Sequence, residues 1–288
     1  MINHKKIVVI TGCSSGLGFE ICKKFIKENF FVYGISSNKK KINNAKKIIY
    51  NKFPYNNNFS FNKVDVSNQN QIKIFFSKLF KKHKRLDVVI NNAAVYGPIG
   101  YFEKNNLKSW KKAFDINFYG CLNVYREAVK IMKKKKYGRI IQISGGGSTK
   151  PLPMFTSYAC SKVGVVRLAE CISEEVKKYN ICINSVSPGI LNTVLLKKAL
   201  KAGPQNIGKK YYNKLLKAKK KGGDDINLAV NLIFELSKKN NKINGKIISA
   251  LWDEWHKFKY NFKKLNSSDV YTLRRIVGKE RNLGFFDK

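Results

Sequence analysis

Relative to base, acid is what this chain has least of. Eighteen Asp and Glu face 57 Lys and Arg, a formal net charge of +39 in 288 residues. Such a deficit first suggests a polyanionic partner, either nucleic acid or an anionic membrane. A second scarcity argues against it. Only 7 of the 57 cations are Arg, the side chain whose planar fork reads phosphates and base edges in pairs. The chain is instead rich in Lys, Asn and Ile, the residues with AT-rich codons. Its Lys runs, such as Lys39–Lys41 and Lys133–Lys136, are dispersed. That pattern reads as solvated helix faces and genomic base composition, so no nucleic-acid partner is expected.

Metal-binding patterns are missing as well. Six Cys stand at 13, 22, 121, 160, 171 and 182 without a C-x-x-C spacing, and only three His accompany them. No metal site is expected from such spacings. Isolated Cys among apolar residues fit a reducing compartment. No apolar stretch approaches a bilayer span, and the first, Ile7–Thr11, is too short for a signal-peptide core. The expectation is a cytoplasmic protein with no membrane partner. Hydrophobic residues still make up 43% of the chain, enough for a sizeable core.

Short apolar runs alternate with helical periods. Ile7–Thr11, Phe31–Ile35, Phe59–Val66, Leu86–Asn91, Arg139–Ser144, Ile181–Val186 and Lys246–Ser249 read as buried strands. Helices are predicted over 17–29, 38–52, 68–83, 109–135, 157–179 and 225–238. Strict alternation predicts an α/β fold, a doubly wound parallel sheet in three α/β/α layers. Residues 193–224, rich in Lys and Gly, break the rhythm and read as a mobile lid insertion. Residues 251–288 read as a polar and aromatic extension, after a single domain over 1–250.

After the first strand comes Thr11-Gly12-Cys13-Ser14-Ser15-Gly16-Leu17-Gly18, then an apolar-periodic helix. A glycine-rich turn between strand and helix lets backbone N–H groups approach a pyrophosphate at the positive helix end. The spacing is Gly-x3-Gly-x-Gly.

With this loop the chain resembles the short-chain dehydrogenase/reductase family, in its single-domain, Rossmann-like branch, over roughly residues 5–250. Further marks recur in order: Asp65-Val66, Asn91-Asn92-Ala93-Ala94, Asn117, and Pro188-Gly189 with Thr193. The resemblance implies that Gly12, Ser14, Ser15, Gly16, Leu17 and Gly18 bind the pyrophosphate. It implies that Asp65 and Val66 hold the adenine. Asn92, Ala93, Pro188, Gly189, Ile190 and Thr193 would meet the nicotinamide half. Ala94 departs from the family's usual glycine.

Tyr158 and Lys162 stand four apart on a predicted helix, so both side chains share a face. Carbonyl reduction needs a proton on oxygen, and a nearby ammonium favours phenolate and lowers a phenol's pKa. The pair alone is weak, because Tyr260 and Lys264 make a second one. Order along the chain selects Tyr158. By resemblance, Lys162 also holds the nicotinamide ribose, and Asn117 anchors a relay water. The family's catalytic serine falls at Gly145, inside Ile143-Ser144-Gly145-Gly146-Gly147-Ser148. Three readings stay open: Ser144 reaches the substrate through the flexible turn, Ser148 does, or no serine takes part.

At the end of the second strand, Ser36-Ser37-Asn38-Lys39-Lys40 lacks the acid that NAD enzymes of this fold place on the ribose. Small hydroxyls at Ser36 and Ser37 and the two Lys favour NADP, with NAD the alternative. The reaction expected is interconversion of a secondary alcohol and a carbonyl. The tail around Trp252 and Trp255 is loosely similar to reductases of sugars and surface polysaccharides, so the Trp pair either stacks a sugar or packs over the sheet edge. Lys197 and Lys198 would attract a phosphorylated substrate. By resemblance the helices 109–135 and 157–179 pair copies into a homodimer or homotetramer. The competing reading is a nucleotide-sensing or scaffold protein with weak catalysis.

Overall fold

Successive residues of β1 (Ile7–Thr11) enter different cores. Val8 and Ile10 join one buried cluster, Ile7 and Val9 the other, as in a strand covered on both faces. The computed structural model describes residues 5–283. It places β1 inside an all-parallel sheet with β2 (Phe31–Ser36), β3 (Phe59–Lys63), β4 (Val88–Asn91), β5 (Gly138–Ile143), β6 (Ile181–Ser187) and β7 (Ile247–Ser249). The spatial order is β3-β2-β1-β4-β5-β6-β7. The chain therefore winds outward from β1 in one direction, then returns to β4 and winds outward in the other. The crevice opens where the directions diverge, at the ends of β1 and β4.

The helices, in chain order, are α1 (Gly16–Lys27), α2 (Lys39–Lys52), α3 (Gln69–His83), α4 (Leu107–Phe114), α5 (Gly120–Lys135) and α6 (Thr156–Val176). Next come α7 (Val194–Ala202), α8 (Pro204–Ile207), α9 (Lys209–Lys220), α10 (Ile226–Leu236) and α11 (Phe262–Asn266). Leucines, isoleucines and phenylalanines of α1, α2 and α10 fill one core; those of α3, α5 and α6 fill the other. The expected three layers are present. Asn supplies several helix starts: Asn38, Asn68 and Asn106 accept N–H bonds from Lys41, Gln71 and Ser109 at 2.8–3.0 Å.

Three expectations need correction. The third strand stops at Lys63, and Asp65 and Val66 lie in the following turn. The helix expected over 109–135 is α4 and α5 joined by a π-helical turn at Asp115–Tyr119. Most plainly, residues 193–224, where no helix was expected, are helical for most of their length. They form α7, α8 and α9, with Leu196, Ala199, Ile207 and Leu215 buried against Phe155 and Tyr158. The glycines that suggested mobility sit between the helices, Gly203 at φ 80° and Gly208 at φ 78°, a conformation that suits glycine at helix ends.

The extension folds back on the sheet, its last residues, 284–288, lying outside the described region. Ile247 N–H donates to Tyr271 O (2.8 Å), and Leu273 N–H to a Glu170 carboxylate oxygen on α6 (2.8 Å). Trp255 packs against the core and donates to Ala250 O, whereas Trp252 is 84% exposed.

Beneath the sheet, Arg139 is 1% exposed. Its guanidinium donates to Gly138 O (2.8 Å), Asn180 O (3.0 Å) and Lys239 O (2.9 Å), and lies 4.8 Å from the Tyr137 ring centroid. Carbonyls left bare in a dry site are expensive. Arg139→Met is expected to cost about 2–4 kcal/mol, read by urea unfolding; a cost below about 1 kcal/mol would show that water replaces the guanidinium.

Candidate active site

The site begins at Thr11, whose hydroxyl accepts N–H bonds from both Asn92 and Ala93 at 2.9 Å. Asn92 returns the contact, its amide donating to Thr11 O (2.9 Å) and Gly12 O (3.3 Å). These bonds lace the ends of β1 and β4 together and set the glycine loop. Gly12 (φ 68°) and Gly16 (φ 56°) hold a left-handed backbone that disfavours a side chain. A Cβ at Gly12 would stand 2.8 Å from the Asn92 amide nitrogen, and one at Gly16 3.1 Å from the Thr193 methyl. One at Gly18 would run into Gly12 O. Ser15 caps α1 without a side-chain bond, so the first-turn N–H groups face the crevice unoccupied by protein. A side-chain-free cradle at a positive helix end fits a dinucleotide pyrophosphate. Asn92 thus braces the loop, a role its place in the sequence did not reveal.

Around the cradle, Ser14 and Ser36 hydroxyls meet at 3.0 Å. Lys39, Lys40, Asn43, Asn44 and Lys47 line a surface cleft beside them on α2. The Asp65 carboxylate accepts from Ser67 N–H (2.9 Å) and Ser67 hydroxyl (2.7 Å). On the opposite side, the segment Pro188–Thr193 follows β6. Ile190 and Asp224 exchange a reciprocal pair: Ile190 N–H to the Asp224 carboxylate at 2.6 Å, Asp224 N–H to Ile190 O at 2.9 Å. Leu191 also bridges Gly223. Asp224 was not visible as a site residue in the sequence; its only signal is a position after two glycines.

Tyr158 is buried on α6, with Lys162 one turn along. The Lys162 ammonium donates to Ile143 O at 2.8 Å and lies 5.5 Å from the Tyr158 ring centroid. Here the expected lowering of the phenol pKa is reversed. Burial, with the Tyr96 and Tyr211 phenols nearby, holds Tyr158 well above its ordinary value. Burial also brings Lys162 down to about 8. By contrast Tyr260, of the competing pair, is 76% exposed and remote in the tail.

Asn117 sits in the π-helical turn, buried. Its side chain brackets Val95, accepting from Val95 N–H and donating to Val95 O, both at 2.8 Å. The amide also donates to Ser161 hydroxyl (2.9 Å), which donates to Tyr158 O (2.7 Å). Ser144 does not present a free hydroxyl: it donates to Ser148 (2.8 Å), which donates to Gly145 O (2.9 Å). A Cβ at Gly145 would strike the Tyr158 hydroxyl. Tyr96 packs edge-on to Tyr158, ring centroids 4.7 Å apart, and Phe155 joins them. Neither Tyr96 nor Ser161 was marked by the sequence. Among the described residues no cluster of His, Cys, Asp and Glu could hold a metal, and no helix is long and apolar enough to cross a membrane.

The buried lysine carries a stability consequence. Its folded pKa of about 8 lies below the ordinary 10.5, so between those values the unfolded chain binds the extra proton. Stability from this group therefore rises with pH across that window, and below it the full penalty of a buried ammonium applies. Lys162→Met is expected to stabilise the cofactor-free protein by roughly 1–3 kcal/mol at pH 7, with the gain fading by pH 10.5. Urea titrations at pH 7 and pH 10.5 measure it; an equal or negative effect at pH 7 would contradict the burial argument.

Comparison with known proteins agrees with this geometry. The family description short chain dehydrogenase matches residues 6–203. A 3-oxoacyl-[acyl-carrier-protein] reductase from Chlamydia muridarum is 27% identical over 249 residues, 85% of this chain and 95% of its own. Benzil reductase ((S)-benzoin forming) from Saccharomyces cerevisiae is 25% identical over 211 residues, 70% and 78% of the two chains. The NADP-bound structure of ElxO superimposes with a TM-score of 0.74 at 27% identity, covering 85% of this chain and 97% of that one. The parallel sheet, the glycine cradle and the match over residues 6–203 make this chain a member of the short-chain dehydrogenase/reductase family, an oxidoreductase that uses a nicotinamide cofactor.

Proposed function

We propose that the protein reduces an apolar ketone or aldehyde with NADPH, with Tyr158 delivering the proton to the carbonyl oxygen. The observation that carries this reading is Tyr158 itself, buried against Gly145 at the end of β5 with Lys162 one helical turn away. A bound nicotinamide supplies the hydride. Gly12, Ser14, Ser15, Gly16, Leu17 and Gly18 hold the pyrophosphate. Asp65 and Val66 hold the adenine; Asn92, Ala93, Pro188, Gly189, Ile190, Thr193 and Lys162 hold the nicotinamide half. A phenol pushed up by burial keeps its proton at neutral pH, which suits the reductive direction. Lys162 is charged below about pH 8 and offsets the phenolate that remains. Asn117 keeps α6 and the Val95 loop in register through Ser161.

Substrate class follows from the wall beside Tyr158. Ile99, Leu152, Met154 and Tyr211, partly buried beside it, are apolar or aromatic, and a wall of such side chains favours an apolar carbonyl compound over a sugar or a phosphorylated one. Benzil, named for the yeast relative, is a compound of this kind. Lys198 is engaged with Gly97 O at the surface. The lack of an acid after β2, with Lys39 and Lys40 at the cleft on α2, supports NADPH. Exposed Tyr119 and Val163 on the α5 and α6 side support pairing of copies into a homodimer or homotetramer. The missing serine at Gly145 favours one other reading, a nucleotide sensor or scaffold with weak catalysis.

Two measurements test the proposal. A panel of diketones, 3-oxoacyl thioesters and sugars, assayed with each nicotinamide, is expected to give turnover on apolar carbonyls and a Michaelis constant at least tenfold lower for NADPH than NADH, by analogy with one lost charged contact. Nucleotide binding without turnover on the whole panel would favour the sensor. Tyr158→Phe is expected to lower kcat by about a hundredfold or more while NADPH binding persists; normal turnover would remove Tyr158 from the mechanism.

A further inference from the structure

We infer that Tyr96 is the second hydrogen-bond donor to the substrate oxygen, in place of the hydroxyl that position 145 lacks. The inference rests on the proposed role of Tyr158 as the acid. A Cβ at position 145 would run into the Tyr158 hydroxyl, so a side chain there would require Tyr158 to shift. The two flanking serines are spent on each other and on Gly145 O. The phenol nearest to Tyr158 is Tyr96, its ring edge-on at 4.7 Å with planes 74° apart. Among the described residues the Tyr96 hydroxyl has no hydrogen-bond partner, although most of the ring is covered. A half-buried phenol with an unused donor beside the reacting group is available to a ligand's oxygen.

The backbone beneath Tyr96 is held as firmly as that beneath Tyr158. Asn117 brackets Val95 from both sides and reaches Ser161, which bonds Tyr158 O. Both phenols therefore hang from one hydrogen-bonded frame, the arrangement a preorganised oxyanion site requires. As hydride reaches the carbonyl carbon, the C=O π pair moves to oxygen. The Tyr158 O–H bond breaks and its proton completes the alcohol. Tyr96 keeps its proton and contributes a hydrogen bond that strengthens as charge grows on the oxygen. Burial holds the Tyr96 phenol above its ordinary pKa, so it stays a donor at neutral pH.

Tyr96→Phe keeps the ring and removes the hydroxyl. With NADPH and phenanthrenequinone, the variant is expected to lose roughly tenfold to a hundredfold in kcat, with the NADPH Michaelis constant and Tm unchanged. A second readout needs no turnover. The infrared carbonyl stretch of benzophenone bound beside NADP+ is expected to move to higher frequency in Tyr96→Phe, one donor having gone. A kcat within twofold of wild type, a loss matched by a fall in Tm or NADPH affinity, or an unmoved carbonyl stretch would each overturn the inference. Tyr158→Phe separates the two claims. If that variant works normally, or the wild type neither binds benzophenone nor reduces phenanthrenequinone, the reading beneath fails. If Tyr158→Phe is inactive and Tyr96→Phe is normal, the Tyr96 assignment alone falls.

Discussion

The hydroxyl of Thr11 carries more of this structure than its size suggests. It accepts two backbone N–H groups from β4 while its own carbonyl receives the Asn92 amide, so the strands on either side of the topological switch are tied at their ends. The candidate site is built outward from that knot. The glycine loop leaves β1 there, the Val95–Tyr96 loop leaves β4 there, and Asn117 clamps that loop to α6. A buried hydrogen bond of this kind contributes only about 1 kcal/mol. Its importance is geometric, because it ties the glycine loop to the start of the Val95–Tyr96 loop.

Much of the fold was legible because the sheet is buried on both faces. Uninterrupted apolar runs such as Ile7–Thr11 and Ile181–Val186, alternating with helical periods, read as strands buried on both faces, and their order dictates the winding. The glycine spacing was equally readable, since Gly12 and Gly16 need positive φ that their surroundings demand. The helices of residues 193–224 went unread for a physical reason. Their Lys-rich faces obscured a helical apolar spacing, Leu196 with Ala199 and Ile207 with Leu215, and the segment's glycines lie between helices.

Other features depend on contacts that spacing cannot show. The direction of the Tyr158 pKa was misjudged because a neighbouring lysine is visible in sequence while full burial is not. Lys162 spends its ammonium on Ile143 O, and burial dominates both groups. Tyr96 and Asp224 acquire their places only when β4 and the lid's end are brought beside α6 and β6. The excess positive charge, by comparison, explains little of the site. Most Lys lie on outward helix faces, whereas Lys162 is buried and Lys39 and Lys40 open α2 beside a surface cleft.

The return of the tail to β7 also bears on the borders of the sheet. A parallel sheet ends in two rows of unpaired backbone groups, each a template for another strand. On one side Tyr271 O occupies the β7 row. On the other, β3 is only five residues long and ends in the polar pair Asn62 and Lys63. Tyr271 thus covers part of one border and Lys63 places a charge at the end of the other, devices by which sheets discourage the addition of a further strand.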